Sequence, residues 1–256
     1  MDKNIIYNAD CLDPVEGMAR LPDNSVDVCI TDPPYGATAC KWDTVIPFDK
    51  MWEQLHRVVK DNGAIVLFGS EPFSSALRMS NIKNYKYDWV WEKDKPSNFA
   101  LSKKQPMKYH ENISVFNKHR YFPVMWFSGT SVNKSAKYGR TETEVTGGGL
   151  LNNKQAGGNM LRYPKSIYKC NVVNNQTKEK AKHPTQKPVK LIEYLIKTYT
   201  QENETVLDFT MGSGTTAIAC MRTGRNYIGW EKDSDYYKII QDRIQKEIEC
   251  FSLFNK

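Results

Sequence analysis

The sequence predicts an α/β protein with a Rossmann-like, mostly parallel sheet and helices on both faces. Seven short apolar runs have the composition of strands, and they cover residues 5–7, 26–30, 64–68, 87–91, 113–116, 205–207 and 226–230. Several of these runs are continuously apolar, which is typical of parallel strands that are buried on both faces. Helical patterns lie between many of them, and strands that alternate with helices favour a doubly wound sheet.

Four stretches carry the apolar spacing of an amphipathic helix. They cover residues 48–59, 188–199, 215–223 and 236–248. Gly63 and Gly224 follow the first and third stretches, where a glycine commonly ends a helix. Pro188 suits the opening of the second stretch, because the first turn of a helix does not need its missing amide proton. These helices supply the layers that the predicted sheet requires.

Composition limits the class of protein. The 256 residues are 40% hydrophobic, which is enough for one large domain or for a domain with an insert. No apolar stretch approaches the length of a membrane span, and the first residues lack the pattern of a signal peptide. The six cysteines are scattered without a C-x-x-C pair. They argue against a zinc site or a disulfide framework, so we expect no metal and a cytoplasmic location.

The charge is unevenly distributed. Residues 93–187 hold 18 Lys and Arg against 5 Asp and Glu, a net charge of +13, whereas the whole chain carries +7 and the remainder therefore −6. A basic block in an acidic frame suggests a polyanionic partner, although a solvated basic surface gives the same count. Residues 120–183 also break the strand–helix rhythm, with clustered glycine, asparagine and lysine. We predict that they form an insert in a domain made of 1–119 and 184–256.

The segment Asp32-Pro33-Pro34-Tyr35 is the most informative in the chain. It follows a predicted strand, and open α/β sheets bind ligands at the carboxyl ends of their strands. It combines a carboxylate, two residues with a locked φ and an aromatic face. This set suits methylation of a nucleobase amine: Asp32 and the Pro33 carbonyl would each accept an N–H bond, and Tyr35 would stack on a flipped base. For the tetrapeptide alone, an ordinary proline-rich turn is the alternative.

A glycine turn follows the sixth predicted strand. No lysine follows Gly214, which excludes a phosphate-binding P-loop. The spacing Gly212-x-Gly214-x-x-Ala217 with Glu231 fits a dinucleotide site, and it equally fits an S-adenosylmethionine site in which Glu231 holds the ribose. Asp208 before the turn favours the second, because a carboxylate attracts a cationic sulfonium and repels a pyrophosphate. The catalytic tetrapeptide in the same chain decides for the methyl donor.

Together these motifs resemble those of the DNA amino-methyltransferases that modify adenine N6 or cytosine N4, in their β arrangement. That arrangement has the catalytic motif first, the target-recognition region second and the cofactor motif last, as 32–35, 120–183 and 208–216 do here. The resemblance covers most of residues 4–238 and includes the segments 8–12, 21–27, 162–166 and 183–188. It implies a seven-stranded sheet with one antiparallel strand, and S-adenosylmethionine as the cofactor.

The resemblance also implies which residues form the site. The catalytic residues would be Asp32, Pro33, Pro34 and Tyr35. The cofactor-binding residues would be Asp10, Cys11, Thr185, Lys187, Pro188, Asp208, Phe209, Gly212, Ser213, Gly214, Thr215 and Glu231. One departure concerns the aromatic residue before the glycines. The family often has Asp-Pro-Phe there, whereas this chain has Phe209-Thr210 in the Pro-Phe places, so the ring is displaced by one position.

The expected activity is site-specific methylation of adenine N6 in double-stranded DNA. Asp32 favours adenine, because members that act on cytosine N4 more often have Ser there; cytosine N4 is the nearest alternative. A methyltransferase for RNA or protein amides is another alternative, but those enzymes place the glycine motif before the catalytic one. A third is a non-catalytic DNA-binding protein, although the catalytic tetrapeptide is intact. The recognition sequence, a homodimer, a cognate restriction enzyme and a bacterial or phage origin stay open.

Overall fold

The computed structural model describes residues 2–38, 40, 43–128, 161–174 and 181–254. Its strands are β1 (Ile5–Tyr7), β2 (Val28–Thr31), β3 (Ile65–Gly69), β4 (Tyr85–Glu92), β5 (His110–Phe116), β6 (Trp126–Phe127), β7 (Leu161–Arg162), β8 (Ile167–Lys169), β9 (Thr205–Asp208) and β10 (Asn226–Trp230). Its α-helices are α1 (Phe48–Val58), α2 (Phe73–Ser80), α3 (Val189–Tyr199), α4 (Thr215–Thr223) and α5 (Ser234–Phe254). Single turns of 3₁₀ helix lie at Met18–Arg20 and Phe99–Leu101.

The chain forms two compact units. The first comprises Met1–Phe122 with Ser166–Lys256, and the second comprises Pro123–Lys165. The described part of the second unit is an antiparallel ribbon of β6 and β7, in which the Trp126 indole donates a hydrogen bond to the Tyr163 carbonyl at 3.0 Å. The expected insert, 120–183, is longer than this unit at both ends. The difference after the unit arises because β8 pairs with a strand of the first unit.

Eight strands of the described residues form the main sheet, in the order β1-β10-β9-β2-β3-β5-β4-β8. β5 runs antiparallel to β3 and β4, and the other neighbouring pairs are parallel. The predicted class, a mostly parallel Rossmann-like sheet with one antiparallel strand, is confirmed. β8 is the strand beyond the seven predicted runs: it has only three residues and lies in the segment that we predicted to be an insert. Helix α2 is likewise outside the four predicted helices, and it has only eight residues.

Alternating side chains explain why the central strands read as continuous apolar runs. Val28 and Ile30 of β2 pack in the core that α3 and α4 cover, whereas Cys29 packs in the core that α1 and α2 cover. β3 repeats the pattern, with Val66 in the first core and Ile65 in the second. Every position is therefore buried on one face or the other. In the part of the chain that the structure describes, no helix is long and apolar enough to cross a membrane.

The direction of the connections reverses between β9 and β2. From β9 the chain passes through α4 to β10 on one side, and from β2 it passes through α1 to β3 on the other. Diverging connections leave a crevice at the carboxyl ends of the two strands, which is where open α/β sheets bind their ligands. The topology therefore concentrates the site on the residues that follow β2 and β9.

Two glycines of left-handed conformation bound helix α4. Gly214 (φ +79°) precedes the helix, and a Cβ there would lie 2.7 Å from Cγ2 of the buried Ile240 on α5. Gly224 (φ +69°) follows the helix, and the nearest atom to a Cβ there would be Cγ of Glu202 at 3.7 Å. Both positions disfavour a side chain through φ, but only Gly214 is also closed by packing.

We expect Gly214→Ala to destabilise the protein more than its matched control, Gly224→Ala. The left-handed conformation alone costs about 1–2 kcal/mol for alanine. The contact with Ile240 adds about 1–3 kcal/mol of overpacking at position 214 only. Urea unfolding of the two variants measures the difference. Equal losses of unfolding free energy would show that α5 moves aside at no cost.

Candidate active site

The two sequence motifs meet because β2 and β9 are parallel neighbours. Cys29 pairs with Leu207 in the register of these strands, so both strands end at the same edge of the sheet. The hydroxyl of Thr31 donates a hydrogen bond of 2.6 Å to the buried Asp208 carboxylate. The hydroxyl of Thr210 lies 3.1 Å from the carbonyl oxygen of Asp32, to which it can donate. The catalytic tetrapeptide and the glycine turn are thereby joined by side-chain hydrogen bonds.

A cavity of about 840 Å³ opens where the two motifs meet. Its lining contains all four predicted catalytic residues. It also contains ten of the predicted cofactor residues, namely Asp10, Cys11, Thr185, Lys187, Asp208, Phe209, Gly212, Ser213, Thr215 and Glu231. The structure places Pro188 and Gly214 outside this lining. Pro188 is buried at the start of α3, and Gly214 faces Ile240.

Asp32 has a protein partner at each carboxylate oxygen. The Tyr35 hydroxyl donates to Oδ1 at 2.5 Å, and the Lys187 ammonium contacts Oδ2. Burial raises the pKa of Asp32, and the charge of Lys187 opposes that shift. The Tyr35 ring stacks on Phe73 with a centroid distance of 5.0 Å, which holds it in place. The tetrapeptide thus holds the Asp32 carboxylate in place beside the Tyr35 ring, which packs on Phe73.

Two charged residues of this site lie outside the predicted set. Lys93 follows β4, Glu111 lies on β5, and their Nζ and Oε1 atoms are 3.1 Å apart. Glu111 Oε2 lies 3.4 Å from Lys187 Nζ, so the pair extends the contact between Lys187 and Asp32. Burial alone would raise the pKa of Glu111, but the two ammonium groups outweigh it and hold the pKa below its ordinary value. In the sequence, Lys93 follows the predicted strand 87–91 and Glu111 precedes the predicted strand 113–116. Antiparallel pairing of these two strands would bring the residues together, and this was the available signal.

Asp208 stabilises the turn that follows β9. Its Oδ2 accepts a hydrogen bond of 2.6 Å from the Thr216 hydroxyl, and its Oδ1 accepts bonds from Thr31 and from the Thr210 amide. Burial raises its pKa to about 6, and these hydrogen bonds oppose the shift. Phe209 is 1% exposed and packs in the core that α1 and α2 cover, while it also borders the cavity. The displaced ring is therefore mainly a core residue.

Glu231 closes the glycine turn from the end of β10. Its Oε2 accepts a bond of 2.7 Å from the Gly212 amide, and its Oε1 accepts one of 2.8 Å from the Asp233 amide. Burial raises the pKa of Glu231 to about 7. A Cβ on Gly212 would have its nearest neighbour 4.0 Å away, at His183, so the backbone of this turn is open to the cavity. An acid beside an open glycine turn fits the ribose end of a nucleoside ligand.

The neighbouring segments complete the lining. Asp10 accepts bonds from the Leu12 amide at 2.9 Å and from Lys232 Nζ at 2.8 Å. Cys11 is buried, and burial raises the pKa of its thiol to about 12, which disfavours the reactive thiolate. On the other side, the Thr185 hydroxyl lies 3.1 Å from His183 Nδ1.

Helix α5 supports the glycine turn from behind. The Arg243 guanidinium donates to the Ser213 carbonyl at 2.6 Å and lies 3.4 Å from the Thr215 hydroxyl. The Ser213 hydroxyl in turn donates to Gln186 at 3.1 Å. These bonds join the turn to the segment that carries Lys187. No group of three His, Cys, Asp or Glu among the described residues could hold a metal ion.

Comparison with known proteins agrees with this geometry. The family model of the N6/N4 DNA methylases matches residues 26–242. The chain is 26% identical to the type II methyltransferase M.HpaI of Haemophilus parainfluenzae, over 98% of this chain and 77% of that protein. It is 29% identical to the type II methyltransferase M2.MboI of Moraxella bovis, over 96% of this chain and 89% of that protein.

Solved structures show the same fold. The crystal structure of the M1.HpyAVI–SAM complex superimposes with a TM-score of 0.60 at 25% identity, and the match covers 93% of this chain and 98% of that one. The cytosine-N4-specific PvuII DNA methyltransferase superimposes with a TM-score of 0.63 at 16% identity, over 92% of this chain and 84% of that one, and supports the fold alone. The matched region contains both motifs in the order catalytic first and glycine turn second. The chain therefore belongs to the N6/N4 family of DNA methylases, in its β arrangement.

Proposed function

We propose that this chain transfers a methyl group from S-adenosylmethionine to the N6 amine of adenine in a short DNA sequence. The observation that carries the proposal is the shared cavity. The Asp32 carboxylate, which would bind the target amine, and the open glycine turn, which would bind the methyl donor, both line it. Asp32 supports adenine over cytosine N4. A relative of 27% identity, YhdJ of Escherichia coli, bears the name DNA adenine methyltransferase. Cytosine N4 is the second candidate, since the same site chemistry serves both amines.

The chain's residues act on the target amine. An exocyclic amine is a poor nucleophile because its lone pair is delocalised into the ring. Asp32 and the Pro33 carbonyl each accept one N–H, which favours a tetrahedral nitrogen with a directed lone pair. S-adenosylmethionine, when bound, supplies an electrophilic methyl group on a cationic sulfur. As the new N–C bond forms, the amine becomes acidic, and the Asp32 carboxylate is placed to take its proton.

The base must leave the DNA duplex to reach this cavity. Phe73 stacks on one face of the Tyr35 ring, so we assign the other face to the flipped base. Rigid placement of base and donor then supplies much of the rate enhancement. For the donor, Glu231 would hold the ribose, Asp10 the adenine, and Thr185 with Lys187 the methionine end.

The connection between β4 and β5 supports DNA as the substrate. It leaves and re-enters the sheet at the edge that carries the cavity, and Glu111 at its end lines that cavity. Lys103 and Lys104 are exposed on it, and Phe99 nearby is 74% exposed. We assign the two lysines to the phosphate backbone, which fixes the duplex without reading its sequence. A homodimer and a cognate restriction enzyme stay predictions.

Sequencing of DNA from cells that express the protein, with modified bases called, tests the function and yields the recognition site. We expect N6-methyladenine at one short sequence. Digestion of the same DNA to nucleosides checks the base independently. If N4-methylcytosine is the sole new nucleoside, the second candidate replaces the first, and if no methylated base accumulates, both are wrong.

Asp32→Ala should abolish methyl transfer to a duplex that contains the recognition site. The target amine loses both the carboxylate that accepts its hydrogen bond and the base that takes its proton. S-adenosylmethionine should still bind, since Asp32 is not among the proposed donor contacts, and Glu231, Asp10 and Thr185 are unchanged. Tritiated methyl incorporation measures the first effect and isothermal titration calorimetry the second. Asp49→Ala, an exposed position in the first turn of α1, serves as the matched control. Retained transfer by the Asp32 variant would contradict the catalytic role.

The affinity for S-adenosylmethionine should rise with pH between about 6 and 8. The pKa of Glu231 is raised to about 7 by burial, so the carboxylate that would accept the ribose hydroxyls is largely protonated at pH 6. Below that pKa the Kd should increase by up to about tenfold per pH unit. Calorimetric titrations at several pH values check this. Glu231→Gln should bind more weakly and lose the pH dependence. A slope that persists in this variant would contradict the assignment of the titration to Glu231.

Replacing both Lys103 and Lys104 by Gln should weaken DNA binding similarly for all sequences. The slope of log K against log salt concentration should fall in magnitude by about 2, since each lost phosphate contact removes about 0.9. Fluorescence anisotropy with a labelled duplex at several salt concentrations measures it. Lys83→Gln serves as the control, because Lys83 is exposed before the start of β4, at the opposite edge of the sheet from the cavity, and its replacement removes a charge away from this loop. An unchanged slope in the double variant would place the phosphates elsewhere.

A further inference from the structure

A buried ion pair stands behind the catalytic acid. Lys93 is 4% exposed, and its ammonium lies 3.1 Å from Glu111 Oε1. The other oxygen of the same carboxylate, Oε2, is fully buried and has no hydrogen-bond partner among the described residues. It lies 3.4 Å from Lys187 Nζ, within ion-pair distance but outside hydrogen-bond geometry. Glu111 therefore presents a second carboxylate acceptor, at ion-pair distance, to the lysine that contacts Asp32.

A buried carboxylate oxygen without a hydrogen bond carries a desolvation cost. Here the Lys187 ammonium at 3.4 Å is the cation that offsets this cost. The four charges of this group, two ammonium and two carboxylate, balance one another. Removing any one of them would leave a buried charge without its partner. Two separate ion pairs, Lys93 with Glu111 and Lys187 with Asp32, would be enough to neutralise the four charges. The position of Lys187 within reach of both carboxylates is the feature that balance does not require.

The proposed chemistry gives this position a use. Both oxygens of Asp32 are engaged, one by the Tyr35 hydroxyl and one by Lys187. The carboxylate must nevertheless accept an N–H of the target amine. A small shift of the Lys187 ammonium from Asp32 toward Glu111 would release one oxygen and keep the ammonium paired throughout. Such an exchange costs little, since the acceptor already stands 3.4 Å away.

We propose that Glu111 is a positioning residue which receives the Lys187 ammonium when the target amine engages Asp32, and that Lys93 holds the Glu111 carboxylate in place. This inference rests on the proposed function, in which Asp32 accepts the amine. Glu111 need not touch the base or the methyl donor. It acts through Lys187.

The pH dependence separates this role from a merely structural one. The charged and titratable groups that act on Asp32 are Tyr35 on its own segment, Lys187 before α3, Glu111 on β5 and Asp208 on β9, while Lys93 acts on Glu111. Burial and the charge of Glu111 raise the pKa of Asp32, while Lys187 lowers it. Without the charge of Glu111, Lys187 would belong to Asp32 alone. The pKa of Asp32 would then fall, and the acidic limb of the rate profile would move to lower pH.

The decisive variant is Glu111→Gln, measured by single-turnover methylation of a duplex that carries the recognition site. We expect the plateau rate to fall by roughly 10- to 100-fold, because Lys187 stays on Asp32. The acidic limb should move to lower pH, and the Kd for S-adenosylmethionine should change less than the rate. Glu111→Asp, which restores the charge on a shorter side chain, should recover part of the rate and return the limb toward the wild-type pH.

Glu92→Gln is the matched control. Glu92 ends β4 and pairs at 3.4 Å with the exposed Lys169, away from the cavity lining, so its loss should leave rate and profile unchanged. A wild-type rate and limb in Glu111→Gln would overturn the inference, as would a loss of donor affinity that equals the loss of rate. Should this variant not fold, a full wild-type rate in Glu111→Asp, whose shorter side chain draws the carboxylate back from Lys187, would overturn it equally.

The failure of the proposed function is a separate outcome. It would appear as a wild-type protein without methyl transfer, or as an Asp32→Ala variant that keeps its rate. Where the wild type transfers methyl groups and Asp32→Ala does not, the function stands, and the Glu111 variants decide the inference alone.

Discussion

The hydrogen bond from Thr31 to Asp208 is the interaction on which the site depends. It joins the ends of two strands that lie far apart in the chain but side by side in the sheet. Because Thr31 directly precedes the catalytic tetrapeptide and Asp208 precedes the glycine turn, this bond holds the starts of the two motifs next to each other. The parallel direction of both strands does the rest, because their carboxyl ends open into the same crevice. A one-residue slip of either strand would turn these side chains into the opposite core.

The same crevice is where the protein tolerates buried charge. Asp32, Glu111, Lys93 and Lys187 form a balanced group whose members come from four different segments. Charges removed from water are expensive unless they are paired, so each member requires the others. This requirement restrains the four side chains. Lys187 is the member whose ammonium lies within ion-pair distance of two carboxylates, those of Asp32 and Glu111. The fold itself thus pairs the charges of the site with one another.

The strength of the sequence signal differed among the site residues for physical reasons. Proline pairs and glycine turns constrain the backbone locally, so the tetrapeptide and the turn at Gly212 could be recognised from their residue types. Glu111 could not be recognised in this way, because a single acid before an apolar strand is equally typical of a solvated strand end. Its partners Lys93 and Lys187 become neighbours only through antiparallel pairing of β4 with β5 and the packing of α3. Likewise, β8 depends on an edge of the sheet rather than on its own composition.

The amino-acid sequence by itself determined the fold class, the order of the motifs and the two segments that meet in the cavity, because these follow from apolar periodicity and from residues with special backbone requirements. The tertiary structure decided which charged side chains pair with one another, which predicted residues support rather than line the cavity, and that β8 joins the edge of the sheet. Pro188 and Gly214 illustrate the second point. Pro188 is buried at the start of α3, and Gly214 packs against Ile240 of α5, so both support the backbone beside the cavity without lining it. Pairing of charges and burial of side chains are long-range properties, and only the packed chain brings their partners together.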